Sequence, residues 1–362
     1  MGTVRSLLRE YEHLVPSLAA EKRPVFLYGM GDGAEKIMKY LSERGIKIKG
    51  VVASDGFVRG QSFAGYKVIS VSEAEKTHGA LCLVLCFGLG DDRHLVLDPL
   101  TARGNRVVSP NLPVFGGGCC DADYISEHEE DFEKLRAELA DGLSVSVFDS
   151  LLKYNITGDP AQLELAGADA IPEGFYSRGG IHIDVGAYDG DTVAEYLACA
   201  KDRRGRVIAF EPDRKTFKKL LENTKDIKNI TAVNALVGSK NGAVPFVSGS
   251  GRASHAAPCG ETVDCVTVDS YCGFGNISSD APRVTSIKID AEGMDEDVIC
   301  GAANTVYCCK TNVCVALYHR CGDLTAIPRL LRSCDYKYRF FLRKKQCLPA
   351  WDVFLYAMRT DL

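Results

Sequence analysis

Short apolar runs alternate with amphipathic segments along most of the chain. The first run, Val25–Tyr28, leads through a glycine-rich turn into a segment whose apolar residues recur at helical spacing. Two further apolar runs, Ile48–Ala53 and Leu81–Phe87, follow at intervals that leave room for helices. Strands that alternate with helices predict a parallel, doubly wound sheet, and we expect this first domain to occupy residues 1–110.

The stretch 111–178 has a different pattern, which predicts a mostly helical connector. Ser126–Leu139 is charged but carries an apolar stripe, which is typical of an amphipathic helix, and Ser144–Tyr154 predicts another helix. We expect this connector to pack on the second domain, residues 179–362.

Strand and helix patterns alternate again in the second domain. The predicted helices are Thr192–Ala200, Arg214–Asn223 and Leu324–Ser333, and the predicted strands are Ile181–Val185, Arg206–Phe210, Ile230–Val237, Thr262–Val268, Ser286–Asp290 and Val313–Tyr318. Two aromatic and β-branched runs, Tyr336–Leu342 and Val353–Met358, predict an antiparallel hairpin that closes the sheet. The Gly/Ser-rich stretch Ser248–Gly260 predicts a mobile loop.

Composition narrows the class of protein. The 362 residues are 46% hydrophobic and 25% charged, with a net charge of −5, which fits a globular protein and argues against a nucleic-acid binder. We find neither an apolar stretch long enough to span a bilayer nor a secretory signal, and therefore expect no membrane partner and a cytoplasmic location. None of the 15 cysteines forms a Cys-x-x-Cys motif, so we expect reduced thiols and no structural metal.

The strongest motif is the run Ile181-His-Ile-Asp-Val-Gly-Ala-Tyr-Asp-Gly-Asp-Thr. A predicted strand ends at Asp184 and turns through Gly186 and Gly190 into a helix, where glycine permits close approach of a ligand. Acidic residues at 184, 189 and 191 would repel a phosphate but attract a sulfonium or ammonium group. The turn therefore favours a cationic ligand over a diphosphate.

Other acidic residues follow the neighbouring strands. Glu211 ends the second strand, about 20 residues after the glycines, where an acid can accept both hydroxyls of a ribose. Lys288, in the middle of an apolar strand, needs a charged partner, and Asp290 or Glu292 is the expected one. A purely structural ion pair is the alternative role for Lys288.

Asp290, Glu292 and His319 are expected at the carboxyl ends of their strands, with Asp323 on the same rim as His319. We expect His319 or Asp290 to act as a general base and Glu292 to orient the acceptor. The alternatives are a satisfied structural histidine and a divalent ion held by Asp290, Glu292 and His319.

Residues 140–362 together resemble the FkbM family of S-adenosylmethionine-dependent methyltransferases. The matching motifs are the run from Ile181 to Thr192, Phe210-Glu211-Pro212, Val263–Tyr271, Ile287–Gly293, Tyr318-His319 and Trp351–Ala357. The resemblance implies a seven-stranded Rossmann-like sheet with an antiparallel last strand. It also implies O-methyl transfer to a hydroxyl of a sugar, polysaccharide or natural product.

By position, the resemblance assigns binding of S-adenosylmethionine to three groups of residues. The turn with Asp184, Gly186, Ala187, Tyr188 and Gly190 would cradle the methionine part. Glu211 and Pro212 would lie at the ribose, and Asn234 or Ala235 near the adenine. Trp351-Asp352 and Arg343-Lys-Lys depart from the family pattern, which leaves the acceptor open.

The first domain more weakly resembles small Rossmann-like domains that bind a nucleotide or nucleotide-sugar. Its turn reads Gly29-x-Gly31-x-x-Ala34, and Asp55 follows its second strand. A tight strand–helix turn with no ligand is the alternative. For the whole chain, the competing functions are an NAD-dependent oxidoreductase and a non-catalytic nucleotide-sugar-binding protein. An oligomer is compatible with the sequence.

Overall fold

The computed structural model describes residues 3–176, 179–200, 205–247, 255–256, 260–273, 283–334 and 337–359. The chain divides into two compact units. Unit 1 comprises Met1–Ala137, Gly142–Asp169 and Lys344–Asp352, and unit 2 comprises Glu138–Asp141, Ala170–Arg343 and Val353–Leu362.

Unit 1 is built on a six-stranded, mostly parallel sheet in the order β3-β4-β2-β1-β5-β6. Only the β3–β4 pair at one edge is antiparallel among the described strand pairs of this sheet. Its strands are β1 Val25–Tyr28, β2 Gly50–Ala53, β3 Ser62–Phe63, β4 Tyr66–Ser70, β5 Cys82–Leu85 and β6 Arg106–Val108. Its helices are α1 Val4–Glu10, α2 Leu14–Ala19, α3 Asp32–Glu43, α4 Val71–His78, α5 Arg93–Ala102, α6 Ala122–Glu127, α7 Glu129–Glu138 and α8 Gly142–Thr157.

The helical connector differs from its prediction in two ways. The single helix predicted over Ser126–Leu139 is two helices, α6 and α7, separated at His128, whose backbone leaves helical geometry. Asp121 begins α6 by accepting a hydrogen bond from the backbone N–H of Tyr124, upstream of the predicted start. Most of the connector belongs to unit 1, because residues up to Ala137 and Gly142–Asp169 have most of their contacts within that unit. The prediction had placed the connector on the second domain. The boundaries 1–110, 111–178 and 179–362 stay a prediction.

Unit 2 contains the predicted seven-stranded sheet and a smaller four-stranded one. The strands are β7 Ile181–Val185, β8 Arg206–Phe210, β9 Ile230–Val233, β10 Leu236–Val237, β11 Gly242–Val247, β12 His255–Ala256, β13 Glu261–Val266, β14 Val284–Ile289, β15 Asn312–Ala316, β16 Tyr338–Lys344 and β17 Val353–Arg359. The helices are α9 Asp191–Cys199, α10 Arg214–Thr224, α11 Val268–Tyr271, α12 Asp295–Gly301, α13 Ala303–Cys309 and α14 Asp323–Cys334.

The large sheet confirms the predicted fold class. Its order is β16-β17-β15-β14-β7-β8-β9, and the last strand of the chain, β17, runs antiparallel to β15. The described pairs from β15 through β14, β7 and β8 to β9 are parallel. β7 and β14 are buried along their whole length, and the charged residues among them, Asp184 and Lys288, face each other inside the sheet.

One predicted strand in this region is wrong in its extent, and a second is confirmed but belongs to the small sheet. The strand predicted over Ile230–Val237 is two strands, because Asn234 turns out of the large sheet and its side chain donates to the backbone carbonyls of Glu211 and Pro212. The strand predicted over Thr262–Val268 is β13, which lies in the small sheet of order β10-β13-β11-β12. The predicted loop Ser248–Gly260 lies outside the described residues except at β12, which pairs with β11, and at Gly260.

The close approach of β7 and β14 depends on Gly186. Its backbone φ is +74°, and a Cβ there would overlap the carbonyl oxygen of Asp290. We predict that Gly186→Ala lowers the free energy of unfolding by about 2 kcal/mol or more, because it adds backbone strain to a steric clash. Urea denaturation measures the change. Gly142→Ala is the matched control, because a Cβ at Gly142 meets nothing within 4 Å, and equal losses for both variants would contradict the prediction.

Candidate active site

The carboxyl ends of β7, β8 and β14 are tied together by backbone hydrogen bonds. The N–H groups of Gly186 and Ala187 donate to the carbonyl of Phe210 at 3.0 and 2.9 Å, and the Asp290 N–H donates to Val185 at 3.0 Å. The loops after three adjacent strands therefore form one rigid edge. Open parallel sheets bind their ligands at this edge.

The glycine turn after β7 has a constrained backbone. Gly186 and Gly190 have φ values of +74° and +98°, and Tyr188 has a φ of +48°, which is uncommon for a non-glycine residue. A Cβ at Gly190 would lie 3.2 Å from side-chain carbons of Leu220 and Thr224. Packing against neighbouring residues therefore also requires glycine in this turn, in addition to the close approach of a ligand that the sequence predicts.

Asp184 lies beneath the turn rather than on its surface. It is fully buried, its Oδ2 accepts the Thr192 hydroxyl at 2.5 Å, and its Oδ1 lies 3.7 Å from Lys288 Nζ. Burial raises the pKa of Asp184, and the charge of Lys288 opposes this shift. Asp184 therefore holds the base of the turn, and the acids nearer its surface are Asp189 and Asp191.

Glu211 at the end of β8 is joined to the glycine turn. Its Oε2 accepts the Tyr188 N–H at 3.1 Å, and its Oε1 accepts the Asp213 N–H at 2.8 Å. Burial raises the pKa of Glu211 to about 7. Next to it, Pro212 is partly exposed, and the neighbouring strand end brings in Asn234, as described above, and the buried Ala235.

Lys288 is the centre of a buried ion-pair group. Its Nζ lies 3.5 Å from Asp290 Oδ2, which confirms the predicted partner, and 3.7 Å from Asp184 Oδ1. It also donates to the Gly186 carbonyl at 3.3 Å. Burial would lower the pKa of Lys288, but the charges of Asp290 and Asp184 outweigh it and raise the pKa, so Lys288 is a cation at neutral pH.

Asp290 is an anionic partner of Lys288 in this group. Burial would raise its pKa, but the charge of Lys288 and hydrogen bonds from His319 and Tyr318 lower the pKa well below its usual range. The Tyr318 hydroxyl donates to Asp290 Oδ1 at 3.1 Å. Asp290 is therefore ionised at neutral pH and is a weak proton acceptor.

His319 is buried among carboxylates. Its Nδ1 lies 2.7 Å from Asp295 Oδ2, and its Nε2 lies 3.2 Å from Asp290 Oδ1 and 3.7 Å from Glu292 Oε2. Burial disfavours the charged imidazole, but Asp295 and Asp290 outweigh it and hold the pKa of His319 well above its ordinary value. The two aspartates thus favour the imidazolium form of the ring.

Glu292 is a partly exposed carboxyl group of this cluster whose pKa is raised into the neutral range. Its side chain is 25% exposed, and its backbone φ of +49° is strained for a glutamate. Burial raises the pKa of Glu292 from 4.5 to about 8, and the imidazolium of His319 opposes this shift. Glu292 therefore exchanges a proton in the physiological range.

Asp295 and Tyr318 complete the cluster, and the sequence reasoning gave neither of them a role. Asp295 accepts the N–H groups of Ala291 at 3.0 Å and Gly293 at 3.2 Å, so it holds the loop that carries Glu292. Two sequence features could have pointed to these residues: the acidic residues at the start of α12 for Asp295, and the Tyr-His pair after β15 for Tyr318.

Asp323 lies near His319, as predicted for the same rim. Its Oδ2 accepts the backbone N–H of Arg320 at 2.7 Å, and burial raises its pKa to about 7. One ligand atom each from Asp295, His319 and Asp323 lies within 4.8 Å of the others, which is compatible with a metal. This set differs from the one considered in the sequence analysis.

In unit 1, the glycines and the acid of the predicted nucleotide or nucleotide-sugar site make contacts within the protein. A Cβ at Gly29 would lie 2.6 Å from the Phe87 ring, and one at Gly33 would lie 2.6 Å from the Cys86 carbonyl, so both glycines serve packing. Asp55 accepts the backbone N–H and the hydroxyl of Ser72 at 3.2 and 2.5 Å. Its carboxylate is thus engaged at the start of α4.

The second unit matches a known domain family. Residues 184–338 fit the family model of the methyltransferase FkbM domain. No functionally curated protein shows significant sequence similarity to the chain. Within the described residues, no helix combines the length and the apolar character needed to cross a membrane.

A solved structure shares the fold of this chain. A methyltransferase FkbM from Methylobacillus flagellatus KT superimposes with a TM-score of 0.67 at 20% identity, covering 95% of this chain and 92% of that one. Fibrillarin from Aeropyrum pernix, solved with S-adenosyl-L-methionine, gives a TM-score of 0.31 at 14% identity, covering 52% of this chain and 71% of that one. A SAM-dependent methyltransferase from Aquifex aeolicus gives a TM-score of 0.30 at 12% identity, covering 56% of this chain and 94% of that one.

The raised pKa values predict a pH-dependent stability. Between pH 5 and 8 the folded protein retains protons on Glu292, Glu211 and His319 that the unfolded chain releases, so the free energy of unfolding falls as pH rises. Urea denaturation at both pH values measures this slope. Glu292→Gln should make the fall roughly 1–3 kcal/mol smaller. The exposed Glu222→Gln should leave it unchanged, and a slope that Glu292→Gln does not alter would refute the prediction.

Proposed function

Because residues 184–338 form a methyltransferase FkbM domain, we propose that this protein transfers a methyl group from S-adenosylmethionine to a hydroxyl of a sugar, polysaccharide or natural product. The observation that carries the proposal is the position of Glu292. It is a partly exposed carboxyl group with a pKa of about 8, on the sheet edge that also holds the glycine turn and Glu211.

The residues at this edge fit the charge of the cofactor. Glu211 would accept the ribose hydroxyls, and the turn through Gly186, Tyr188 and Gly190 would hold the methionine part. Asp189 and Asp191 at the turn favour a sulfonium and disfavour a diphosphate. When bound, S-adenosylmethionine would supply an activated methyl group, so the protein itself must align the acceptor and remove its proton.

Glu292 is the best-suited proton acceptor of the cluster. His319 is already protonated, and Asp290 has a depressed pKa, so neither takes up a proton readily near neutral pH. The hydroxyl proton would pass to a carboxylate oxygen of Glu292 while the hydroxyl oxygen forms the bond to the methyl carbon. The bond from that carbon to the sulfonium sulfur would break at the same time, and its electron pair would leave with a neutral thioether. This assignment replaces our expectation that His319 or Asp290 is the base and Glu292 only orients the acceptor.

His319 and Lys288 would act as positioning residues. The imidazolium of His319 counteracts the rise in the pKa of Glu292, so that the ionised form is populated at physiological pH. Lys288 ties Asp184 below the glycine turn to Asp290 beside His319. The two halves of the edge thereby keep a fixed separation, which alignment of the acceptor requires.

The acid-rich edge favours an uncharged, hydroxyl-rich acceptor, which would not be repelled by Asp290 or Glu292. The alternative of an NAD-dependent oxidoreductase is not favoured, because it leaves the acidic turn of unit 2 without a role. A cytoplasmic location and a possible oligomer remain part of the proposal. A nucleotide-sugar partner of unit 1 is a weaker part, because Asp55 is bound to Ser72.

Cofactor binding tests the first half of the proposal. We predict that titration calorimetry detects S-adenosylmethionine binding and that Glu211→Ala weakens it by about 10- to 100-fold, because hydrogen bonds to a charged acceptor are lost. Glu222→Ala, which removes an exposed glutamate from α10, should bind as the parent does. Binding of NAD(H) with no heat from S-adenosylmethionine would overturn the methyltransferase proposal.

Proton removal tests the second half. We predict that Glu292→Gln reduces methyl transfer by about 10²- to 10⁴-fold without changing S-adenosylmethionine affinity. The parent rate should rise with pH through about 8, as Glu292 ionises, and the variant should lose this dependence. Transfer of labelled methyl groups to a panel of neutral sugars measures both. An unaltered rate in Glu292→Gln, with transfer lost in Asp290→Asn, would restore Asp290 as the base.

A further inference from the structure

Unit 1 contains a cavity of about 510 Å³ that lies outside the methyltransferase domain. Its lining includes Asp91, Arg93, His94, Glu164 and Gln346. Three of these residues lie at or just before the start of α5, in the connection that follows β5. The volume is within the range of cavities that hold small organic ligands.

Arg93 is the unusual member of this lining. Only 8% of it is exposed, and its Nη2 donates to Gln346 Oε1 at 3.0 Å and to the Leu163 carbonyl at 3.4 Å. Its Nη1 is buried without a hydrogen-bond partner among the described residues. Within the described chain, no carboxylate lies within ion-pair distance of this guanidinium. A buried cation with an unsatisfied donor is costly unless something else pairs with it.

A second basic side chain lies buried near Arg93, whereas the acidic groups of this region, Asp91, Asp92 and Glu164, are exposed at the surface. Lys344 is also buried. Its Nζ donates to the backbone carbonyls of Lys345 and Cys347 and to the thiol of Cys347. Burial lowers the pKa of Lys344, and the charge of Arg93 contributes to this shift. The region therefore contains two buried basic side chains.

Arg93 lies in the connection that follows β5. Loops that follow the carboxyl ends of parallel strands commonly take part in ligand binding. The rest of the lining comes from the segments around Glu164–Ala166 and Gln346.

We propose that this cavity binds a small hydroxylated molecule through its oxyanion, a carboxylate or a phosphate, which pairs with Arg93. Nη2 of Arg93 already donates to Gln346 and Leu163, so the oxyanion would accept charge-assisted hydrogen bonds from Nη1. The other polar lining groups suit hydroxyls, because exposed Asp91 and Glu164 accept hydrogen bonds and His94 and Gln346 donate or accept them. The ligand class is thus sugar acids and sugar phosphates.

Calorimetry on the full chain tests the ligand class. Glucuronate and glucose 6-phosphate separate the two anion sources, and glucose is the uncharged control. We expect heat and thermal stabilisation from at least one charged sugar at millimolar concentration and neither effect from glucose. Stabilisation by glucose equal to that by both charged sugars would overturn the proposal, as would the absence of binding by either charged sugar.

Substitutions place the ligand in the cavity. Arg93→Met should weaken binding by about 10- to 100-fold, whereas Arg103→Met should not, because Arg103 lies just beyond the far end of α5 and pairs with Glu75. Ala166→Trp at the exposed rim should block binding without disturbing the core, which keeps the test valid if Arg93→Met does not fold. Glu292→Gln should bind the charged sugar normally. Undiminished binding in Ala166→Trp, or loss in Glu292→Gln alone, would refute this site.

Discussion

The active-site edge of unit 2 depends on one buried cation, Lys288. The register between β7 and β14 places Lys288 opposite Asp184, and Asp290 follows two residues later on its own strand. Each of the three charges is tolerated in the interior only because the others are present. Removing one partner of such a group typically costs about 3–5 kcal/mol, since an uncompensated charge remains. The ion-pair group therefore fixes both the sheet edge and the charge state of what lies on it.

The charge states of Asp290, His319 and Glu292 follow from this buried ion-pair group. Asp290 is held as an anion by Lys288, and it in turn helps to hold His319 as a cation together with Asp295. Glu292 is left as the group with neither a strong partner nor full solvation, which is why its pKa lies near neutrality. Asp295 has a second role, because it also accepts the backbone N–H groups beside Glu292. The strained loop is thereby fixed by the same residue that charges the imidazole.

Much of this fold could be predicted because its central strands are buried on both faces. Ile181–Val185 and Arg206–Phe210 have the predicted bounds, since a short, mostly apolar segment that is followed by a glycine or an acid has few other structures. The run 230–237 was mispredicted because the side chain of Asn234 binds two carbonyls, and this contact leaves no periodic signal. Asp295 was missed for a similar reason: it acts through backbone groups from the start of a helix.

The two units carry different charged side chains in the loops that follow their parallel strands. In unit 2 the loops carry acids around a buried lysine, an arrangement suited to a sulfonium and a neutral hydroxyl. In unit 1 the expected acid, Asp55, is turned to Ser72, and the loop after β5 leads instead to a buried arginine. Glycine turns alone do not distinguish these cases, because Gly29 and Gly186 both meet close neighbours across the edge. The side chains that end each strand therefore decide which ligand the shared architecture receives.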